Sequence, residues 1–277
     1  MISDLVTADW LFENINNPYL RMVDCRWLLG QPEEGRHQYE NGHIPGAVHL
    51  DVEKHLSGKE GPGRHPLPQK RDFQKILEEI GVSREMHVIA YDAGTGMPAP
   101  RLWWLLRYYG HERVSILDGG WRTWTTGGKP VEYQVPHYPK GEFVARAKLK
   151  WLLNQKGVDD LRDNPEVVLL DVRTPERYRG EVEPIDARAG HIPGAVNLPF
   201  TQLINQETGC FLPAEQLKEM FAQVGATKAD ITICYCGSGI TACTNIFALR
   251  LVGVEAKLYE GSWGEWSQDL SQPIVTG

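Results

Sequence analysis

GHIPGAVHLD, residues 42–51, returns almost letter for letter as GHIPGAVNLP, residues 190–199. The likeness spreads outward from these turns. YLRMVDCRWL (19–28) precedes the first and EVVLLDVRTP (166–175) the second, so Asp24 corresponds to Asp171 and His43 to His191. Downstream, HVIAYDAGTG (87–96) matches ITICYCGSGI (231–240). LLRYYGHERVSILDGGWRTW (105–124) then matches FALRLVGVEAKLYEGSWGEW (247–266). Four matched blocks in one order mean a duplicated folding unit.

Each copy has the same grammar. In the second, VVLLDVR (167–173) is a short β-rich apolar run, hence a buried strand, and AVNLPF (195–200) is another. Residues 214–224 carry apolar side chains at helical spacing and stop at Gly225. ITICY (231–235) is a third strand, 240–252 a helix ended by Gly253, and 256–259 a fourth strand. Strands alternating with helices predict an α/β fold of two tandem domains, each a mostly parallel sheet flanked by helices. The Pro- and Gly-containing stretch 129–146 lacks helical period and holds the linker. The expected division is 1–135, a linker at 136–146, and 147–277.

With 277 residues, the chain is long enough for two domains with cores of their own. Its formal net charge is −7 and it has no Lys/Arg block, which disfavours nucleic-acid and anionic-membrane partners. The N-terminal MISDLVTADWLFENI lacks the basic flank and apolar run of a signal peptide. No stretch approaches the roughly 20 apolar residues of a membrane helix. Five cysteines (Cys25, Cys210, Cys234, Cys236 and Cys243) are few and odd in number, which points to reduced thiols in a cytoplasm.

Cys236 closes a buried strand and opens Gly237-Ser238-Gly239 ahead of a helix. Sites in open α/β sheets lie beyond the carboxyl ends of the strands. Small residues let successive N–H groups turn inward as an anion nest, and the helix N-terminus adds its positive end. Both favour thiolate over thiol, so Cys236 is the candidate nucleophile. A cysteine phosphatase would need an arginine six residues on, where Ala242 stands. Disulfide exchange would use C-x-x-C, whereas this chain has C-x-C. Sulfur transfer, with the nest holding a persulfide, fits best. A persulfide carrier or sensor without turnover is the alternative reading. C-x-C with one helical cysteine lacks the paired spacing of a zinc site, so Cys234 and Cys243 read as core residues.

The doubled layout, the GHIPGA turns, the CGSGIT loop (236–241) and the EGSWGEW tail (260–266) resemble the tandem-domain rhodanese family of thiosulfate and 3-mercaptopyruvate sulfurtransferases. The resemblance covers nearly the whole chain and implies two rhodanese domains, the C-terminal one catalytic. It places Cys236, Gly237, Ser238, Gly239, Ile240 and Thr241 in the sulfur-binding loop. Asp92 occupies the cysteine position of the first copy, so that domain is expected to be silent. A Cys-Gly-Ser-Gly loop goes with 3-mercaptopyruvate more than with thiosulfate, and both stay open. Two arginines ahead of the second turn are implied to hold a donor carboxylate. Arg179 matches the first. Ile185-Asp186 stands where the second belongs, and nearby Arg188 is the candidate for it. His43 is implied as a proton-transfer partner, with a weaker match for Glu34. The acceptor would be cyanide, a small thiol or thioredoxin, and no metal or organic cofactor is implied.

From the residues alone, Asp24 with Arg26 and Asp171 with Arg173 read as structural ion pairs. Trp263 and Trp266 read as walls of the core or cleft, and 61–66 (GPGRHP) as a rigid loop of the first copy in which Arg64 either faces the cleft or is a plain loop residue.

Overall fold

The computed structural model describes residues 3–277; Met1 and Ile2, which begin the stretch inspected for a signal peptide, lie outside it. The first half runs β1 (Leu5–Val6), α1 (Ala8–Asn14), β2 (Leu20–Asp24), α2 (Glu34–Glu40), β3 (Val48–His49), α3 (Lys70–Glu79), β4 (His87–Tyr91), α4 (Ala99–Tyr108), β5 (Val114–Leu117) and α5 (Gly120–Thr126). The second runs β6 (Leu152–Leu153), α6 (Gln155–Leu161), β7 (Val167–Asp171), α7 (Pro175–Tyr178), β8 (Ala195–Asn197), α8 (Ala214–Gln223), β9 (Ile231–Tyr235), α9 (Ala242–Leu251), β10 (Ala256–Tyr259) and α10 (Ser262–Trp266).

Each half builds a five-stranded sheet, ordered β1-β5-β4-β2-β3 and β6-β10-β9-β7-β8. Every pairing within them is parallel. The strands that precede Asp92 and Cys236, β4 and β9, are the central ones, and their apolar runs are buried because helices cover both faces. Two helix starts are capped by side chains. Thr7 Oγ1 accepts the Trp10 N–H at 3.1 Å, and Asn154 Oδ1 accepts the Gly157 N–H at 2.9 Å. Trp263, Trp266, Tyr235 and Tyr259 form the second core with Leu169, Ile192 and Ile233. Among the described residues no helix is long and apolar enough to cross a membrane.

The chain divides into two compact units that do not follow the repeat boundary. Among the described residues the first holds 3–58, 68–148 and 204–211; the second holds 59–67, 149–203 and 212–277. The loop after the third strand of each copy therefore belongs to the unit built by the other copy. A reading that assigns segments by order along the chain puts 59–67 in the wrong unit.

The strand read at 167–173 stops at Asp171, because its carboxylate turns back on the chain. Oδ1 accepts the Arg173 N–H at 3.0 Å, and Arg173 Nη2 reaches Oδ2 at 2.6 Å. Arg173 Nη2 also donates to the Gly190 carbonyl at 2.7 Å, and the Ile192 N–H donates to Tyr235 Oη at 3.2 Å. These bonds fix the GHIPG turn beside the central strand. The first unit repeats them through Arg26 on Gly42 O (2.7 Å) and Ile44 N–H on Tyr91 Oη (3.2 Å).

After β4, the Asp92 carboxylate fills its own loop. Oδ1 accepts N–H groups of Gly94 (2.8 Å) and Thr95 (3.1 Å), and Oδ2 that of Ala99 (3.3 Å). Burial pushes its carboxyl up to about 6, against the pull of those amides. A carboxyl raised on folding leaves the native state holding more protons than the unfolded chain between about pH 4 and 6. Its contribution to stability therefore falls as pH rises through that window and stays low above it. Asp92→Asn removes this slope. The stability of the variant relative to the parent, measured by urea unfolding, should rise by about 2 kcal/mol from pH 4 to pH 7, whatever the offset from the lost amide acceptor. A pH-independent difference would show that Asp92 is not buried in this way.

Candidate active site

The second unit places Cys236 immediately beyond β9, 2% exposed. The Gly239 N–H points at Sγ from 3.1 Å and the Ser238 N–H from 3.4 Å. The helix expected from residue 240 begins as α9 at Ala242, because 240 and 241 are spent turning the loop. Gly239 sits at φ +80°, open to glycine at no steric cost. At Gly237 the Arg64 guanidinium closes on the bare backbone, with Nη2 2.5 Å from where a Cβ would lie. Cys243 Sγ, from the first turn of α9, donates to the Gly239 carbonyl at 3.3 Å and steadies the loop from below. Burial pushes the Cys234 thiol well up, so it stays protonated within its strand.

The tail motif clasps the loop from the other side. The Cys236 N–H donates to Ser262 Oγ at 3.2 Å, Trp263 N–H to Cys236 O at 2.9 Å, and Gly264 N–H to Gly237 O at 2.9 Å. Ser262 holds φ +54°, a left-handed conformation costly for a residue with a Cβ, where the first unit has Gly120 at φ +55°. Its hydroxyl, which donates to Tyr259 O at 2.9 Å, explains the choice of residue.

Ser238 Oγ is hydrogen-bonded to His65 Nδ1 at 2.8 Å, with the two residues 7% and 4% exposed. Beside it Arg64 Nε lies 3.0 Å from Asp186 Oδ1, and Arg177 Nη2 lies 2.9 Å from Asp186 Oδ2. Arg177 also pairs with Glu183 at 2.6 Å, which Arg173 reaches at 3.1 Å. Burial pushes the Asp186 carboxyl up, with Arg64 working against it. Burial acts on Glu183 in the same sense, but the Arg177 hydrogen bond and neighbouring amides leave it below the ordinary range. Among the described residues no group of three or more His, Cys, Asp and Glu is set to hold a metal ion.

Three expected site residues are committed to structural partners. Arg179, 40% exposed, forms a surface pair with Glu181 at 2.7 Å. Arg188 spends its guanidinium on the carbonyls of Ser267, Trp266, Asp269 and Gln272, closing the C-terminal segment onto α10. The arginine facing the loop is Arg177, two residues before Arg179. On helical backbone that spacing turns a side chain by about 200°, to the opposite face. His43 is stacked on Tyr39 at 3.9 Å. Its ring nitrogens face the carbonyls of Tyr39 (2.8 Å) and Gln134 (3.1 Å), and its burial is complete. It is a turn residue, as is His191, stacked on Tyr178 at 3.8 Å. His65 is the residue that the sequence reading misses, while Arg64, open there to a cleft-facing or a plain-loop reading, lies beside the Cys236 loop. The signal was an arginine and a histidine fixed between prolines and glycines in a loop that the second copy does not reproduce.

Relatives and solved structures bear on this geometry. The rhodanese-like domain profile matches residues 7–126 and 154–269. The chain belongs to the rhodanese-like family. The probable 3-mercaptopyruvate sulfurtransferase of Pseudomonas aeruginosa is 40% identical over 99% of both chains. The 3-mercaptopyruvate sulfurtransferase of Escherichia coli K12 is 37% identical over 97% of this chain and 96% of that one. The putative thiosulfate sulfurtransferase SseB of Mycobacterium tuberculosis is 36% identical over 92% and 90%. The crystal structure of SseA from Escherichia coli, described for the rhodanese fold of 3-mercaptopyruvate sulfotransferases, superposes with a TM-score of 0.85 at 36% identity, covering 95% of this chain and all of that one. This rhodanese-like protein is a sulfurtransferase.

The two arginines that left the site should separate cleanly. Arg188→Ala loses four carbonyl contacts and should lower Tm by about 5 °C or more. Arg179→Ala should leave both Tm and donor kinetics at parental values. A rise in donor KM in Arg179→Ala alone would return that residue to the site.

Proposed function

We propose that the enzyme moves sulfane sulfur from 3-mercaptopyruvate, or less readily from thiosulfate, through a persulfide on Cys236. The observation that carries this reading is the pair of loop N–H groups converging on Sγ. A sulfur held this way reacts as thiolate and can keep its charge after it has gained a second sulfur atom.

The thiolate attacks the donor sulfur. With 3-mercaptopyruvate, the S–S bond forms as the C–S bond breaks, and the electron pair leaves as the enolate of pyruvate. That enolate takes a proton, for which the Ser238–His65 pair is the acid or the relay. With thiosulfate the S–S bond of the donor breaks and sulfite departs with its electrons. An acceptor nucleophile such as cyanide, a small thiol or thioredoxin then attacks the outer sulfur and releases the Cys236 thiolate, giving a ping-pong cycle. The Ser238–His65 pair favours the donor whose leaving group needs a proton. The names of the 40% and 37% identical relatives agree with it. Arg177 and Arg64 present guanidinium N–H groups toward the donor carboxylate. A reducing cytoplasm, where all five cysteines stay as thiols, suits the cycle.

Incubation with 3-mercaptopyruvate in the absence of acceptor should add one sulfur atom to the Cys236 peptide, seen by mass spectrometry, and Cys236→Ser should abolish both adduct and turnover. His65→Ala should lower kcat with 3-mercaptopyruvate by 10- to 100-fold and cost less with thiosulfate, whose leaving group needs no proton. An unmodified Cys236 after donor exposure, with turnover intact, would refute the persulfide route.

A further inference from the structure

Asp186 is the unusual member of the site. Its carboxylate, 2% exposed, bridges Arg64 (3.0 Å) and Arg177 (2.9 Å). The place a Gly237 Cβ would occupy lies 2.5 Å from Arg64 Nη2, 3.5 Å from Asp186 Oδ2 and 3.6 Å from Arg177 Nη1. The same carboxylate packs on the clasp, 3.3 Å from where a Cβ on Gly264 would lie. Its loop is held by Glu183, whose Oε1 accepts the N–H groups of Ile185 (3.2 Å) and Asp186 (3.1 Å). The two arginines that would bind an incoming anion thus already hold one that the chain supplies.

The charges form a closed account. Arg173, Arg177 and Arg64 alternate with Asp171, Glu183 and Asp186 through the ion pairs given above. The wall beside the nucleophile is therefore close to neutral. A donor with one carboxylate still meets guanidinium N–H groups. A donor carrying a second charge, as thiosulfate does, brings an anion with no counter-charge and sets it against Asp186. At these separations, and with solvent largely excluded, a single uncompensated charge outweighs the gain from one more hydrogen bond.

We propose that Asp186 sets the donor charge selectivity of this sulfurtransferase, as the built-in counter-ion of Arg64 and Arg177 that admits a monoanionic donor and disfavours a dianionic one. It rests on the reading that the Cys236 loop takes anionic sulfur donors. Asp186 is a specificity-determining residue and takes no part in bond making.

Asp186→Asn keeps the shape and removes the charge. The ratio of kcat/KM for thiosulfate to kcat/KM for 3-mercaptopyruvate should rise at least about tenfold, mainly through KM for thiosulfate. Adding Arg177→Gln to Asp186→Asn should return the ratio toward the parental value. A merely structural role would lower both donors alike and leave the ratio fixed, and that result would overturn the proposal. Asp186→Ala repeats the test should the asparagine disturb the loop. Calorimetric titration with sulfate and with pyruvate separates this inference from the function it rests on, because neither ligand donates sulfur. Asp186→Asn should gain affinity for sulfate over pyruvate even if no donor were turned over. Equal changes for both anions would sink the role of Asp186 while leaving sulfur transfer standing.

Discussion

In the proposed cycle the Cys236 sulfur reacts as an anion, and in a position almost closed to water such a charge has to be solvated by the polypeptide. Here two peptide N–H groups, of Ser238 and Gly239, do so from within the loop that begins at the sulfur. Peptide dipoles serve best when their geometry is fixed before the charge develops, since no energy is then lost in turning them. The loop is therefore fastened on both flanks. Cys243 holds Gly239 from the helix side, and Ser262 with the N–H groups of Trp263 and Gly264 holds residues 236 and 237 from the tail. The left-handed Ser262 is the strain this fastening requires.

The first unit shows the same constraint met with a different anion. The Asp92 loop occupies the equivalent place after the equivalent central strand, and Trp121 N–H bonds Asp92 O at 2.7 Å as Trp263 N–H bonds Cys236 O. In this unit the carboxylate reaches round to three amides of its own loop and fills the nest. A nest filled by its own side chain has no donors left for an incoming group. Gly120 takes the left-handed position in that unit, where a Cβ would clash with the Asp92 carbonyl oxygen.

Much of this could be read in the sequence. Repetition gave the two sheets and their order of elements, since each short β-rich run is bounded by Gly, Pro or Asp turns that end a buried strand. Cys236, Ser238 and the glycines were legible because a thiol before small residues at a strand end has few structural uses. The arginines and the histidine were not. Arg177 and Arg179 differ by two positions, and only the helical course of 175–178 decides which faces inward. Arg188 looks like a ligand until the C-terminal carbonyls that it bonds are seen. His43 shares its motif with His191, and a residue needed equally by both copies serves the turn that both copies make. Arg64 and His65 precede β4 of the first copy in the chain but belong to the second unit, and hydrophobic pattern carries no information on such an assignment.

Comparison of the two units also separates what the fold needs from what the chemistry needs. Asp24–Arg26 and Asp171–Arg173 are the same device, each 2.6 Å long, each bonded to the glycine carbonyl of its turn and each stacked on a tryptophan, at 4.5 Å on Trp121 and 4.6 Å on Trp263. That much is architecture. In the second unit alone the pair is extended, from Arg173 to Glu183, from Glu183 to Arg177, and from Arg177 through Asp186 to Arg64. Buried charges recover their desolvation cost only when each has a partner of opposite sign in good geometry, so such a row is not added to a fold for stability. It runs from the end of β7 to Gly237 beside Cys236, and it is absent from the described ion pairs of the unit that has Asp92 at the matching place. An alternating row also resists displacement of any one member, because moving one charge breaks two pairs. The row is thereby anchored at the end of β7, paired through Asp171 with Tyr235 at the end of β9 that carries Cys236, so the charges and the sulfur share one rigid frame.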